Sequence, residues 1–492
     1  MPSKALPTIA EAVRLTTSGE ASPGDLVRQS LARMKDTEPA INATCTICEE
    51  EALKDAARLD TLMGSDAARA MPLFGVPVTV KDLFCTKGIR TTAASKMLEN
   101  FVPSYDAHTV DALKKAGAIV VAKTNTDEFA MGATTESSCF GPTHNPWDTS
   151  RTPGGSSGGA AASIAAGQAC GALASDSGGS IRLPAALCGC VGIKPTYGRV
   201  SRYGGVGYAS SFDQAGVICG TVQDCALMLE TLAGFDPKDA TCADLPVPAY
   251  STLLTRNDLK GITLGLPKEL WGEGIAPEVL EACHKTVALA KDLGAIIREV
   301  SIPRLPYSGA AYSVLATGEC GTNMARFDGV RYGLRAGDEN GLWAMYEATR
   351  TLGFGLEVKR RIMLGTWVLS VKNYEKLYLK AAKVRRLLMQ DYEAALAGCD
   401  ALLVPTNLEV ASPLGAHLKD GPLHAYMADA LLSCLNLVGL PGLTLPAGLG
   451  SASGLPVGIQ VIGKAFDEAG IFTISAALEK NLPGLGIPKG MQ

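Results

Sequence analysis

The sequence GGSSGG at residues 154–159, followed by DSGGSIRLP at residues 176–184, decides how the rest of the chain is interpreted. Two glycine–glycine–serine turns flank a segment built mainly from Ala, Gly and Ser. Glycine suits backbone that folds tightly or comes close to a ligand. Either turn alone is typical of an ordinary loop beside a helix. The two together, each with a serine, indicate a functional site.

The second turn can direct several successive backbone amides at one oxygen atom. Ser177, Gly178, Gly179 and Ser180 form this predicted nest, which would stabilise the oxyanion of an acyl-transfer intermediate. A short helix over residues 181–187 would add the field of its dipole. Serine is a weak nucleophile until a base takes its proton, so the Ser180 hydroxyl needs a base nearby.

Lys81 is the candidate base. Residues 76–80 predict a short strand that ends at this lysine, with apolar residues on one side and Asp82 on the other. A lysine at the end of a strand is usually solvated, but these flanks favour burial. Burial lowers a lysine pKa from its usual ~10.4, and a neutral amine can accept a proton. No histidine stands in a motif with a carboxylate and a serine, which weakens a Ser-His-Asp triad.

Composition restricts the possible partners of the chain. The 492 residues are 47% apolar and 19% charged, with 54 glycines, which is typical of a large globular enzyme. The formal net charge of −4 provides no global basic field for nucleic acid. A role on nucleic acid would therefore act through a partner or a local patch. Without an apolar signal segment or a membrane span, we expect a cytoplasmic protein with no membrane contact.

The sequence gives no sign of a cofactor. Fourteen cysteines without a spacing framework predict reduced and mostly buried thiols. No zinc-site spacing follows Cys45 and Cys48, so no metal site is expected. A phosphate-binding loop with the Gly-x-x-x-x-Gly-Lys-Ser/Thr pattern is missing from the sequence, which argues against ATP chemistry in this chain.

Strand and helix patterns predict an α/β fold. A β–α–β rhythm runs to about residue 217 and resumes near residue 259, and long helices are predicted at 309–326, 339–350 and 373–395. No fixed-period repeat or low-complexity linker divides the chain. We expect one domain over residues 1–492, with a core at roughly 70–220 and a helical insertion at roughly 305–395.

The segment VKD at residues 80–82, together with both glycine–serine turns, resembles the amidase signature family. The resemblance implies a large mixed central β-sheet covered by helices on both faces. It also implies a Ser–Ser–Lys triad in which Ser180 is the nucleophile. Ser156, preceded by a cis peptide bond, would relay the proton. Lys81 would be the base and later the acid, and the backbone amides of 177–180 would form the oxyanion hole.

Longer stretches, at residues 87–155, 194–204, 326–333 and 358–366, are similar to family members that hydrolyse glutamine for a tRNA-dependent amidotransferase. The resemblance implies that ammonia converts Glu-tRNA(Gln) to Gln-tRNA(Gln), with Asp-tRNA(Asn) as an open second substrate. It also implies partner B and C subunits in a heterotrimer. Charged tRNA would be handled by the partner, which would also use ATP and Mg²⁺, and this chain would hold no cofactor.

The same resemblance implies a pocket for free glutamine. Arg361 would bind the α-carboxylate, with Arg360 as the alternative, Asp429 would bind the α-ammonium, and Tyr312 would line the pocket. Two other functions stay open, namely a stand-alone amidase acting on another small amide and a catalytically silent subunit. The intact Lys81 and its two serines argue against the silent subunit. A pocket without the charged pair would favour the stand-alone amidase.

Overall fold

A single mixed sheet organises the computed structural model, which describes residues 3–416 and 430–492. The strands, numbered along the chain, are β1 (Thr44–Ile47), β2 (Pro77–Lys81), β3 (Ile119–Thr124), β4 (Gly171–Asp176), β5 (Val191–Lys194), β6 (Gln214–Cys219), β7 (Thr263–Pro267), β8 (Ile296–Val300), β9 (Ala401–Pro405), β10 (Gly442–Leu449) and β11 (Pro456–Ile462). Their order is β1-β3-β2-β4-β6-β5-β10-β11-β9-β7-β8. β2 runs parallel to β3 and β4, and β7 runs parallel to β8 and β9, whereas the remaining pairs are antiparallel.

The described α-helices lie between and beyond these strands. They are α1 (Ile9–Ser18), α2 (Pro23–Ile41), α3 (Glu49–Asp60), α4 (Asp66–Arg69), α5 (His108–Lys115), α6 (Gly158–Ala165), α7 (Arg182–Cys188), α8 (Val222–Leu232), α9 (Pro277–Asp292), α10 (Ser308–Met324), α11 (Leu342–Gly353), α12 (Leu356–Val368), α13 (Lys380–Leu396), α14 (Ala430–Val438) and α15 (Glu468–Glu479). A π-helical segment, Tyr374–Leu379, leads into α13.

Helices cover both faces of the sheet, as alternate residues of its strands show. Ile119 and Val121 of β3 pack into one apolar cluster with α2, α3 and α6. Val120 of the same strand and Leu173 of β4 pack into another cluster with α1, α8 and α9. Successive side chains of a strand point to opposite faces, so both faces are buried. The predicted α/β fold with a mixed sheet is confirmed.

Residues 308–396 contain helices and no strand. Their apolar side chains form a further cluster with Phe129, Phe212 and Leu435, which also contains Leu83, two residues after the end of β2. The predicted helical insertion at 305–395 overlaps this stretch. That residues 1–492 form one domain containing the insertion stays a prediction. α7 lies where a short helix over 181–187 was expected.

β1, α4, α8 and α12 were not among the elements predicted from the sequence. β1 is a four-residue strand at the sheet edge, and α12 connects α11 to the π-helical segment. The sequence pattern also predicts a helix over residues 423–438. Its described part is present as α14, and residues 423–429 lie outside the described residues.

Cysteine burial agrees with the expectation of mostly buried thiols. All fourteen are free thiols and twelve are buried.

In the described parts of the chain, we find no helix whose length and apolarity would let it cross a membrane. Across residues 3–416 and 430–492, His, Cys, Asp and Glu side chains form no group of three or more suited to a metal ion.

Candidate active site

Lys81 lies at the C-terminal end of β2, fully buried under the two glycine–serine turns. Its Nζ is 2.7 Å from Ser156 Oγ, 2.8 Å from Ser157 Oγ and 3.0 Å from Ser175 Oγ. A fourth oxygen, the Ser175 carbonyl, is 3.4 Å away. These neighbours are neutral, and Lys81 forms no salt bridge with a described carboxylate. The structure therefore joins the predicted base to the predicted relay serine.

Burial lowers the pKa of Lys81 to about 7. The negative charges of Asp127, Asp176 and Asp213 raise this pKa, but desolvation is the larger effect. The lysine is thus poised to exchange a proton near neutral pH, as a general base must.

The first turn brings Ser156 to Lys81 and also reaches the loop of Ser180. The peptide bond between Gly155 and Ser156 is cis, as the resemblance implied. The amide of Ser157 donates to the carbonyl of Ser180 at 3.1 Å, and the Ser157 hydroxyl donates to the Ser175 carbonyl at 3.0 Å. Ser156 and Ser180 therefore belong to two directly hydrogen-bonded segments.

Asp176 holds the second turn in shape. One carboxylate oxygen accepts the Gly179 amide at 2.7 Å and the other accepts the Ile181 amide at 3.1 Å. Arg182 completes a fully buried ion pair with it at 3.0 Å. Burial opposes ionisation of Asp176, but the nearby Arg182 and Lys194 outweigh it and hold the pKa of the carboxyl below its ordinary range. The buried ion pair of Asp176 and Arg182 therefore fixes the conformation of the loop that carries Ser180.

One amide of the predicted nest has an acceptor within the loop. The Gly179 amide donates to Asp176 at 2.7 Å, and the role of the four amides as an oxyanion hole stays a prediction. The glycine is nevertheless required, since its φ is +128° and an added Cβ would lie 2.8 Å from the Leu432 side chain. At Gly178 an added Cβ would lie 2.4 Å from the Tyr312 hydroxyl oxygen. Both glycines let neighbouring side chains approach the loop.

A cavity of about 150 Å³ opens beside Ser180 and Gly178. Tyr312 and Arg361 line it, as does Tyr208. The predicted nucleophile and two of the predicted substrate-binding residues thus share one small cavity. Asp429, the third predicted substrate-binding residue, lies outside the described residues.

Arg361, rather than the alternative Arg360, faces this cavity. Arg361 is buried on α12, and its guanidinium contacts Glu357 at 2.8 Å and the Tyr208 hydroxyl at 2.9 Å. Arg360 is half-buried, pairs with the same glutamate and does not line the cavity. The buried position suits a group that would recognise a carboxylate by a charge-assisted hydrogen bond.

Several residues of the site were not singled out from the sequence. Ser157 and Ser175 contact Lys81, and Tyr208 contacts Arg361. Asp213 accepts a hydrogen bond from the Ser177 hydroxyl at 2.6 Å and one from the Tyr208 amide at 2.9 Å. Burial raises the pKa of Asp213 to about 6. Only Ser157 lies in a motif noted in the sequence, and the others meet the site through tertiary contacts.

Known proteins resemble this chain over nearly its whole length. Residues 25–472 match the model of the family described as Amidase. The A subunit of glutamyl-tRNA(Gln) amidotransferase from Nitratidesulfovibrio vulgaris (strain DP4) is 52% identical over 474 residues, 96% of each chain. The crystal structure of the protein of that name from Thermotoga maritima has a TM-score of 0.81 and 39% identity, covering 98% of this chain and 97% of its own. The native peptide amidase of Stenotrophomonas maltophilia has a TM-score of 0.82 and 30% identity, covering 98% of both. By sequence and by fold, the chain belongs to the amidase signature family.

Proposed function

We propose that the chain is the glutamine-hydrolysing A subunit of a tRNA-dependent amidotransferase, supplying ammonia that converts Glu-tRNA(Gln) to Gln-tRNA(Gln). The observation that carries the proposal is the 52% identity, over 96% of both chains, with the A subunit of a glutamyl-tRNA(Gln) amidotransferase. The similarity to peptide amidase is lower, at 30% identity. A buried arginine in a small cavity also suits an amino acid better than a purely apolar amide.

In this mechanism the Ser180 hydroxyl attacks the side-chain amide carbon of glutamine. Its proton passes through the Ser156 hydroxyl to neutral Lys81, which the 2.7 Å contact supports. The amides of Ser177, Gly178 and Ser180 would stabilise the oxyanion. Collapse of the intermediate breaks the carbon–nitrogen bond, and the proton on Lys81 returns to the leaving ammonia. Water then cleaves the glutamyl ester, releasing glutamate and restoring Ser180.

Arg361 would bind the α-carboxylate of glutamine in the cavity beside Ser180. Tyr312 would form part of the wall, and Asp429 would pair with the α-ammonium. Placing both charges of the zwitterion would orient the side-chain amide toward the nucleophile, and correct orientation contributes strongly to rate.

The remaining reaction would belong to partner subunits in the cytoplasm. A B subunit would activate the tRNA-borne carboxylate with ATP and Mg²⁺ and receive the ammonia, and a C subunit would complete the heterotrimer. The net charge of −4 fits a chain that leaves tRNA binding to its partners. Asp-tRNA(Asn) is a second possible substrate of the same complex.

The test is an assay of the purified complex, prepared by co-expression with the other amidotransferase subunits of the source genome. We expect glutamine and ammonium chloride each to support amidation of Glu-tRNA(Gln), with glutamate released only from glutamine. A chain that forms no complex but hydrolyses other small amides would instead be the stand-alone amidase.

A second prediction concerns Tyr208, which hydrogen-bonds Arg361 without belonging to the predicted triad. In the Tyr208→Phe variant, we expect KM for glutamine to rise about ten-fold with kcat nearly unchanged. The reason is that loss of one hydrogen bond to a charged group costs roughly 1.5 kcal/mol. Steady-state glutaminase kinetics of the complex would measure both constants.

The control uses a substrate that lacks the α-carboxylate, 4-aminobutanamide. If Tyr208 acts by orienting Arg361, the variant and the wild type should hydrolyse this amide equally well. A comparable loss on both amides would contradict the prediction. Tyr250 is a fully buried tyrosine in another part of the core. Tyr250→Phe is therefore the matched control and should change neither the KM for glutamine nor the KM for 4-aminobutanamide.

A further inference from the structure

Exposed large apolar side chains are concentrated in one short part of the chain. Thirteen of the twenty-three that occur among the described residues lie between residues 330 and 379. This stretch is about a tenth of the sequence, whereas scattered single exposures are what ordinary surfaces show. Such a concentration indicates a surface that another molecule covers.

α12 presents the clearest part of that surface. Leu356, Met363 and Trp367 are spaced seven and four residues apart, which places them along one side of a helix. Their exposed fractions are 73%, 72% and 57%. Val358 and Val368 on the opposite side are buried. α12 thus has buried apolar side chains on its inner side and exposed ones on its outer side, where half-buried Arg360 also lies.

The apolar side continues beyond the helix. Val371, three residues past its end, is 97% exposed. We call Leu356, Met363, Trp367 and Val371 the outer stripe. These four large apolar side chains are left in contact with water. Burying them against a partner would contribute several kcal/mol of favourable free energy.

The outer stripe adjoins the cavity beside Ser180. Trp367 belongs to the stripe and also lines that cavity. Leu364, which is not part of the stripe, lines the cavity too and is partly exposed. Arg361 projects inward from the same helix. A molecule seated on the outer stripe would therefore contact one wall of that cavity through Trp367.

We infer that the outer stripe is the docking surface for another subunit of the amidotransferase, which presents an apolar helix or sheet face to α12. The inference rests on the proposed function. Relatives at about 50% identity over nearly the whole chain are named as a subunit, so a protein partner must cover some surface of such chains. The stripe is the described apolar surface that also borders the cavity where ammonia would form.

The experiment compares two double variants in the co-expressed complex. Leu356→Glu with Met363→Glu places two charges in the outer stripe and leaves the cavity lining intact. Val102→Glu with Ile296→Glu is the matched control, because those side chains are equally apolar and 54% and 56% exposed elsewhere. Affinity purification through a tag on this chain, followed by light scattering, measures how much partner is retained.

We expect the stripe variant to retain at least ten-fold less partner than the wild type, with an unchanged thermal unfolding midpoint. Glutamine-dependent amidation should fall in proportion, and the control variant should behave like the wild type. Full retention of partner by the stripe variant would overturn the inference while leaving the proposed function intact. A wild-type chain that captures no partner would instead overturn the proposed function.

Two further measurements on the chain alone distinguish other occupants, namely light scattering and cosedimentation with vesicles. If the wild-type chain alone is a dimer that the stripe variant makes monomeric, the surface binds a second copy and the inference is wrong. If the wild-type chain alone cosediments with vesicles of anionic phospholipid and the stripe variant does not, the surface binds a membrane, which also contradicts it.

Discussion

Replacement of Ser180 by alanine is expected to lower glutamine hydrolysis by roughly 10³-fold or more, because removing a catalytic nucleophile abolishes the covalent route. Ser180 lines the cavity beside Gly178, and its carbonyl is tied to the turn that carries Ser156. Glutamate release from labelled glutamine by the purified complex is the measurement. A variant with near wild-type glutaminase activity would show that another group attacks the amide.

The same variant provides its own control for folding and assembly. Amidation of Glu-tRNA(Gln) with ammonium chloride needs no glutamine, so we expect Ser180→Ala to retain most of this activity. Loss of both activities would mean that the substitution disturbs the complex. Ser163→Ala removes a buried hydroxyl from α6, away from the cavity, and should leave glutamine-dependent amidation unchanged.

The local parts of the site were predictable because short segments of sequence determine them. A β-branched strand placed Lys81 at its end, and the glycine–serine turns marked Ser156 and Ser180. The contact of Lys81 with Ser175 was not predictable in this way. It depends on β2 and β4 being neighbours in the sheet, and the intervening residues give no sign of that pairing.

α12 was missed for a different physical reason. A periodicity search looks for one apolar side and one polar side, and this helix has apolar residues on both. Its buried side also contains Arg361, a residue type that usually lies at the surface. The residues that made α12 hard to predict also give it two roles. Its inner side lines the cavity, and its outer side carries the exposed stripe.

The second large effect is expected at Lys81. In the Lys81→Arg variant, glutaminase activity should fall by roughly 10³-fold or more, because arginine keeps its positive charge near neutral pH and cannot accept a proton. If Lys81 acted only through its charge, the arginine variant would remain active. Lys81→Met removes both charge and base, so equal inactivity of the two variants would assign the loss to the missing base.

The pH dependence of the wild type tests the same role without a substitution. Burial lowers the pKa of Lys81 to about 7, and only the neutral amine can take the proton relayed by Ser156. We therefore expect kcat/KM for glutamine to rise with pH through about 7 and then level off. A profile that is flat from pH 6 to 8, or that falls as pH rises, would contradict a lysine base.

Stability should respond to pH through the same group, which separates folding from catalysis. The folded-state pKa of Lys81 lies below the unfolded value of ~10.4, so between about pH 7 and ~10.4 the unfolded chain binds the extra proton. The contribution of Lys81 to the free energy of unfolding must then increase with pH across this window. In Lys81→Met that increase is lost, and thermal unfolding should depend less on pH than in the wild type. An identical pH dependence in both proteins would show that Lys81 is protonated in the fold, and the buried amine could not then begin the reaction.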